Sequence, residues 1–306
     1  MKAVDLTVNL TGLRLGNPTV LASGILGYST ETLKEIVKGG AGAIVTKSVC
    51  LKPREGYANP TVVQASCGLI NAMGLPNPGI REYVKELHTA RVNVGVPLIV
   101  SVFGYSAEEY KAVAEKAVEA GADAVELNVS CPHVKDTGSE IGQDEELLKA
   151  VIKKVKSSIG KPVFVKLSPN VTSMADVAEA AVNAGADGLT IMNTIKALAV
   201  NVESGGPVLA NKFGGLSGPA VKPIALRCVY DVYERVKVPL MGCGGIMNWR
   251  DAVEFLLVGA SAVQVGTAIS FKGTNVFGKI TQGMEKYMKT KGFERLEDFV
   301  GLSHRK

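Results

Sequence analysis

The sequence predicts an α/β protein, a (β/α)8 TIM barrel with a short N-terminal β-hairpin, forming a single domain over residues 1–306. Three observations support this fold class. A glycine-containing phrase recurs four times, and each copy follows a helical pattern. Three further apolar runs fall between the copies, and a fourth precedes the first copy. The chain of 306 residues is long for one ordinary domain, but this length is usual for a barrel of eight strand–helix units.

Each copy of the recurring phrase predicts the end of a helix followed directly by a strand. Glycine readily takes the left-handed conformation that closes a helix, and the apolar run after it suits a strand buried on both faces. The segments before the copies carry apolar residues at i, i+3 and i+4, as amphipathic helices do. The copies are GGAGAIV (39–45), AGADAVEL (120–127), AGADGLTI (184–191) and VGASAVQV (258–265).

The remaining strands are predicted at TVLAS (19–23), VPLIVSVF (96–103), KPVFVKLS (161–168) and VPLMGCGG (238–245). Eight strands alternating with helices indicate a closed barrel, with an open doubly wound sheet as the alternative. The first dozen residues are predicted to form the hairpin at the barrel floor. Two long connections, 47–79 and 194–219, follow strands and are therefore expected on the catalytic face.

Composition excludes several classes of protein. An apolar fraction of 46% and a net charge of +5 are typical of a globular protein, and 6% aromatic residues argue against base stacking on nucleic acid. Neither a signal peptide nor an apolar run of membrane-spanning length is present, so a cytoplasmic location is expected. The five cysteines are scattered without a CxxC, which indicates reduced thiols and no metal site.

The strand ends carry the polar residues. In a barrel these ends face one pocket, so Lys47 and Lys166 are expected there together with Asn128 and Asn193. A lysine that ends an apolar strand needs an anionic or polar partner. Because no acid stands at any strand end, the pair of lysines favours an anionic ligand.

Glycine-rich turns follow the seventh and eighth strands, in GCGGIMNW (242–249) and VQVGTAI (263–269). Backbone N–H groups of such turns can approach a phosphate closely, so a phosphate-bearing ligand is predicted here. No GxGxxG follows the first strand, and a nicotinamide site of Rossmann type is therefore not indicated.

Cys131, in LNVSCPHVK (127–135), stands where a strand opens into a loop. Near two cations its thiol could act as a base or nucleophile close to neutral pH. His133 is near in sequence, but Pro132 intervenes and no histidine is clearly placed to serve a nucleophile. Proton abstraction is therefore preferred over acyl transfer.

At these motifs the chain resembles the class 1 dihydroorotate dehydrogenases, and most closely their B subtype in archaeal-like form. The motifs occur in family order over nearly the whole chain: ASG (22–24), TKSV (46–49), NAMGLPNPG (71–79), NVSCPHV (128–134), VKLSPNV (165–171), MNT (192–194), GGLSGPAVKPIALR (214–227), GCGGI (242–246) and VGTAI (265–269).

The resemblance implies one FMN per chain and oxidation of dihydroorotate to orotate in pyrimidine (UMP) biosynthesis. Cys131 would remove the C5 proton while the C6 hydride passes to the flavin. The implied cofactor-binding residues are Ser23, Lys47, Ser48, Ser101, Asn128, Lys166 and Met192, with Gly218, Gly244, Gly245, Gly266 and Thr267 at the phosphate. The implied substrate-binding residues are Lys47, Asn71, Ala72, Met73, Gly74, Leu75, Asn128, Asn193 and Thr194.

The resemblance also implies a partner subunit that carries FAD and a [2Fe–2S] cluster and passes electrons to NAD. The expected assembly is a homodimer, alone or within a heterotetramer with that subunit. Two rival functions stay open. One is the FMN subunit of an NAD(P)-dependent dihydropyrimidine dehydrogenase, and the other is a flavin- or phosphate-binding scaffold without catalysis of its own.

Overall fold

A computed structural model describes residues 4–129 and 138–305, without the side chains of 138–140. The strands in this part of the chain are β1 (Val8–Leu10), β2 (Leu13–Leu15), β3 (Thr19–Leu21), β4 (Ala43–Val45), β5 (Val62–Ala65), β6 (Gly68–Asn71), β7 (Leu98–Val102), β8 (Ala124–Asn128), β9 (Val163–Leu167), β10 (Gly188–Ile191), β11 (Ile195–Leu198), β12 (Phe213–Ser217), β13 (Leu240–Cys243) and β14 (Ala262–Val265).

The α-helices of the described residues alternate with the strands of the barrel. They are α1 (Thr30–Lys38), α2 (Ile80–Asn93), α3 (Ala107–Glu119), α4 (Gly138–Gln143), α5 (Glu145–Lys156), α6 (Met174–Asn183), α7 (Lys222–Arg235), α8 (Trp249–Leu257), α9 (Ala268–Lys272) and α10 (Val276–Lys291). None of them is both long and apolar enough to cross a membrane.

Eight parallel strands close into a barrel in the order β10-β13-β14-β3-β4-β7-β8-β9, and β9 pairs in turn with β10. All eight are the strands predicted from the sequence, so the (β/α)8 prediction is confirmed and the open-sheet alternative is wrong. Every residue of β7, β8 and β9 is buried. Such burial on both faces explains why these segments read as continuous apolar runs rather than as alternating patterns.

The glycines of the recurring phrase end helices as predicted. Gly40, Gly121, Gly185 and Gly259 have φ values of 101°, 99°, 106° and 110°, in the left-handed region that side chains rarely adopt. Each lies at the end of a helix and a few residues before a barrel strand. One local conformation therefore sets the path from helix to strand at four places around the barrel.

The N-terminal hairpin is present and lies slightly later than predicted. β1 pairs antiparallel with β2, with Val8 opposite Leu15 and Leu10 opposite Leu13. The two turn residues, Thr11 and Gly12, have φ values of 51° and 93°. Positive φ at both positions matches the right-handed twist of two-residue hairpins.

A second, four-stranded antiparallel sheet is formed by the two long connections and was not predicted. Its order is β11-β12-β6-β5, and β12 joins the two connections by pairing with β6. Gly215 lies opposite Asn71 in that pairing. The connections after β4 and β10 are therefore ordered against each other rather than extending as separate loops.

Helix α10 packs closely on α8, and we expect Gly283→Ala to destabilise the fold. A Cβ at Gly283 would overlap the indole of Trp249, which stands at the start of α8 and also contacts Tyr287. Overpacking of this kind costs about 1–3 kcal/mol of unfolding free energy, measurable by urea denaturation. Gly160→Ala is the control, because a Cβ there meets no atom within 4 Å. Equal stability of the two variants would contradict the close packing.

Candidate active site

A cavity of about 440 Å³ lies at the carboxyl ends of the barrel strands. Seven of the eight strands contribute to its wall either their last residues or the residues that follow. The predicted site residues in the wall are Ser23, Lys47, Ser48, Asn71, Met73, Gly74, Leu75, Asn128, Lys166, Met192, Asn193, Thr194, Gly218, Gly244, Gly245, Gly266 and Thr267. Cys131 and His133 lie outside the described residues.

Two predicted contact residues lie behind the wall. Ser101 is fully buried, and its hydroxyl is 2.8 Å from that of Ser48. Ala72 is also buried and packs with Ile70 and Leu209 under the second sheet. Each of these residues has a wall residue beside it in the chain or in the barrel, and its direct contact with a ligand stays a prediction.

Ser48 is the centre of a group of hydroxyl and amide side chains on one side of the cavity. It accepts a hydrogen bond of 3.1 Å from the Asn128 amide and lies 3.2 Å from the Ser23 hydroxyl. With Ser101 behind it, Ser48 joins side chains from four strand ends. The group can offer both donors and acceptors to a polar ligand.

The segment after β6 brings its backbone to the cavity in a fixed conformation. The carbonyls of Met73, Gly74 and Leu75 accept hydrogen bonds from Tyr57 N, Arg54 Nε and Asn77 Nδ2, at 3.1, 3.1 and 2.9 Å. Gly74 and Leu75 both have positive φ, at 72° and 57°. The carbonyls of this turn are thus held by the protein while its residues line the cavity.

A corner of bare backbone forms where the seventh and eighth barrel strands end. Gly218, Gly244 and Gly245 have φ values of 97°, 136° and 75°. A Cβ on Gly245 would lie 2.8 Å from the Gly218 carbonyl oxygen, so the two turns touch through their backbones. All three glycines line the cavity. Binding of a phosphate at this corner stays a prediction.

Asp251, on α8, fixes the turn behind this corner. Its Oδ2 accepts hydrogen bonds from the backbone N–H groups of Met247 and Asn248, at 2.8 and 3.0 Å. Its Oδ1 accepts one of 2.7 Å from the Lys222 ammonium. Asp251 is buried and does not line the cavity. It therefore holds the conformation of residues 244–248 from outside.

Two lysines line the cavity, and one of them has a buried anionic neighbour. Lys166 donates a 2.9 Å hydrogen bond to Gln264 Oε1, and Gln264 Nε2 donates one of 2.6 Å to Glu126. Burial lowers the pKa of Lys166, but the facing groups Cys243 and Glu126 outweigh it and the net shift is upward. The sequence argument considered only acids at strand ends, and it missed Glu126 because this residue lies inside β8.

We also compared the sequence with those of known protein families. The dihydroorotate dehydrogenase family matches residues 5–288. The chain belongs to this family. The resemblance inferred from the motifs is thereby confirmed.

Relatives of the chain in archaea bear the name "Dihydroorotate dehydrogenase B (NAD(+)), catalytic subunit". The protein of Pyrococcus furiosus is 48% identical over 302 residues, which cover 99% of this chain and 100% of the relative. That of Thermococcus kodakarensis is 49% identical over 303 residues, 99% of both chains. That of Methanothermobacter thermautotrophicus is 48% identical over 301 residues, 98% of both chains.

In this member of the dihydroorotate dehydrogenase family, reasoning from the sequence missed Glu126, Thr190, Cys243, Gln264 and Asp251. Cys243 and Gln264 line the cavity, and the other three support wall residues. A carboxylate in the buried run AVELN and an amide in AVQV were signals that could have been used. A polar side chain in a strand buried on both faces must have a partner within the barrel.

We expect Asp251→Ala to destabilise this dehydrogenase-family barrel by about 2–3 kcal/mol, because it leaves two backbone donors without their acceptor and removes one of the two carboxylates that pair with Lys222. Unfolding by urea, followed by circular dichroism, measures the loss. Asp231→Ala is the matched control, since Asp231 is a helical acid paired with exposed Arg227 and such surface pairs contribute about 0–1 kcal/mol. A similar small loss in both variants would contradict the anchoring role.

Proposed function

We propose that this protein oxidises dihydroorotate to orotate as the FMN-containing catalytic subunit of a B-type dihydroorotate dehydrogenase. The observation that carries the proposal is one cavity that joins a bare-backbone corner to two lysines and a set of asparagines. The backbone corner suits a phosphate-bearing cofactor, and the lysines and asparagines suit an anionic substrate with ring amides. The near full-length similarity to archaeal catalytic subunits supports the same conclusion.

The residues of the cavity fit FMN. Its volume of about 440 Å³ falls within the range of roughly 300–1,000 Å³ usual for ligand pockets. Gly218, Gly244 and Gly245 line the cavity and would offer backbone groups to the phosphate, and Gly266 and Thr267 line it as well. Ser23, Ser48, Asn128, Lys166 and Met192 would meet the ribityl chain and the ring, with Ser101 supporting Ser48.

The substrate half would recognise the carboxylate and the amides of dihydroorotate. Lys47 and the backbone of Met73, Gly74 and Leu75 would bind the carboxylate. The side chains of Asn71, Asn128, Asn193 and Thr194, which line the same cavity, would pair with the ring amides. Asn193 Oδ1 accepts a 2.8 Å hydrogen bond from Thr194 N, so these two neighbours hold each other.

Cys131 would act as the general base. FMN, when bound, supplies a two-electron acceptor for the hydride from C6 of the substrate. The protein must then remove the proton from C5, and a thiolate beside two ammonium groups is a suitable base near neutral pH. This role comes from the sequence and the family, because Cys131 lies outside the described residues.

Electrons must leave the flavin for another protein. The scattered cysteines of the chain offer no iron–sulfur motif, so we propose a partner subunit with FAD and a [2Fe–2S] cluster that passes electrons to NAD. The expected assembly is a homodimer or a heterotetramer with that subunit, in the cytoplasm.

Anaerobic titration of the purified protein tests the activity. We expect yellow protein with one FMN per chain, bleached by dihydroorotate and not by dihydrouracil. The ammonium of Lys47 suits a carboxylate that dihydrouracil lacks. The measurement is the loss of absorbance at the bands of oxidised flavin. Colourless protein that takes up no FMN would refute the proposal, and bleaching by dihydrouracil instead would support the dihydropyrimidine dehydrogenase alternative.

Replacement of Cys131 tests the base. Cys131→Ala should retain FMN but reduce the rate of flavin reduction by about 10²–10⁴-fold, the usual contribution of a positioned acid or base. Stopped-flow absorbance with dihydroorotate measures that rate. Cys67→Ala is the control, because Cys67 is exposed and outside the cavity wall, and it should behave as the wild type. Unimpaired reduction by Cys131→Ala at neutral pH would exclude the role.

A further inference from the structure

A chain of four polar side chains runs through the interior of the barrel below the cavity. Lys166 Nζ donates to Gln264 Oε1 at 2.9 Å, and Gln264 Nε2 donates to Glu126 Oε2 at 2.6 Å. Thr190 Oγ1 donates to the same Glu126 oxygen at 2.7 Å and accepts from Gln264 Nε2 at 3.2 Å. The residues stand on β9, β14, β8 and β10, so the chain crosses the barrel.

The orientation of this chain follows from its two charged ends. An amide has one accepting and one donating end, and Gln264 turns its oxygen to the ammonium and its NH₂ to the carboxylate. Glu126 Oε2 accepts hydrogen bonds from Thr190 and Gln264, as a carboxylate oxygen does. The amide dipole of Gln264 is therefore oriented favourably toward both Lys166 and Glu126.

The cation and the anion differ in their access to the cavity. Lys166 and Gln264 line the cavity wall, whereas Glu126 and Thr190 do not. Glu126 is 0% exposed, and its Oε1 has no hydrogen-bond partner among the described residues. A ligand in the cavity can therefore contact Lys166 but not Glu126.

Other titratable groups near Lys166 do not replace Glu126. Cys243 faces Lys166 from β13, but burial raises the pKa of its thiol above the ordinary value near 9.0, so that thiol is neutral at pH 7. Lys47 lines the same cavity from the end of β4 and carries charge of the same sign. Among the described residues, Glu126 is therefore the carboxyl group that acts on Lys166.

Fold stability alone does not account for the chain. Desolvating two charges is costly, and well-packed apolar residues usually replace a buried ion pair without loss of stability. The surrounding positions of β8 and β9, such as Val125, Leu127 and Val165, are apolar and fully buried. We therefore explain the charges of Lys166 and Glu126 by a ligand that contacts Lys166 in the cavity.

We propose that Glu126 is a positioning residue that keeps Lys166 ionised and turned into the cavity before any ligand binds there. The consequence for the flavin rests on the function proposed above. Reduction adds negative charge to the ring edge that Lys166 would face. With Glu126 in place, the ammonium is already charged, and reduction draws no proton to Lys166.

The first test needs no flavin. Lysine labelled with ¹³C at Cε reports the ionisation of Lys166 in the ligand-free protein by NMR, and Lys166→Met assigns its signal. We expect Lys166 to stay charged to at least pH 10 in the wild type. In Glu126→Gln, which keeps the shape and removes the charge, its acid dissociation constant should rise at least tenfold. An unchanged titration would overturn the proposal, whatever the flavin experiments give.

The second test uses the FMN-loaded protein and measures the midpoint potential against pH from 6 to 10. In Glu126→Gln, over the pH range in which the NMR titration finds Lys166 neutral, Lys166 should take up as much as one additional proton on reduction. For a two-electron couple this steepens the slope by up to about 30 mV per pH unit. Lys166→Met combined with Glu126→Gln should remove the additional uptake, and Cys228→Ala, on α7 and outside the cavity wall, should keep the wild-type slope.

The outcomes separate the two proposals. A wild-type protein that binds no FMN refutes the proposed function, while the NMR titration still judges Glu126. A flavoprotein whose slope is the same with and without Glu126 refutes the inference alone. If Glu126→Gln does not fold, Gln264→Met keeps both charges and cuts the bridge between them. It should raise the acid dissociation constant of Lys166 in the same direction, and an unchanged value there would also overturn the proposal.

Discussion

Closure of eight parallel strands by backbone hydrogen bonds is the constraint on which the rest of this structure depends. Because β10 pairs with both β9 and β13, the barrel has no edge, and every strand must end on the same rim. Residues far apart in the chain therefore meet: Lys47 and Lys166 line one cavity although more than a hundred positions separate them. The chemistry of the site follows from this closure more than from any single motif.

The rim is completed by structure that the barrel itself does not contain. The antiparallel pairing of β6 with β12 orders the two long connections and brings Asn71 beside Gly215, near Thr194. On the opposite part of the rim, Asp251 holds a glycine turn open from behind. Different structures thus support the cavity wall, a small sheet beside Asn71 and a buried carboxylate behind the turn at Gly244 and Gly245.

The barrel interior contains two charged side chains of opposite sign, Lys166 in the cavity wall and Glu126 buried behind it. A lysine buried in an apolar barrel would lose its proton unless an anion stood near it. Glu126 supplies that anion from the neighbouring strand, and Gln264 carries the contact across the barrel. The site can therefore remain positive in a region of low dielectric, where a charge acts strongly on whatever binds.

The sequence alone determined the eight strands, the helix-ending glycines and most of the cavity wall, because these depend on local conformation and on the rule that parallel strands end together. Tertiary structure alone decided which buried groups face each other. Glu126 and Gln264 are 138 positions apart, and their contact depends on the register of strands around the closed barrel. The same register put Ser101 behind Ser48 rather than in the wall. No local pattern encodes such contacts, since they arise only when strands distant in sequence take their places in the closed barrel.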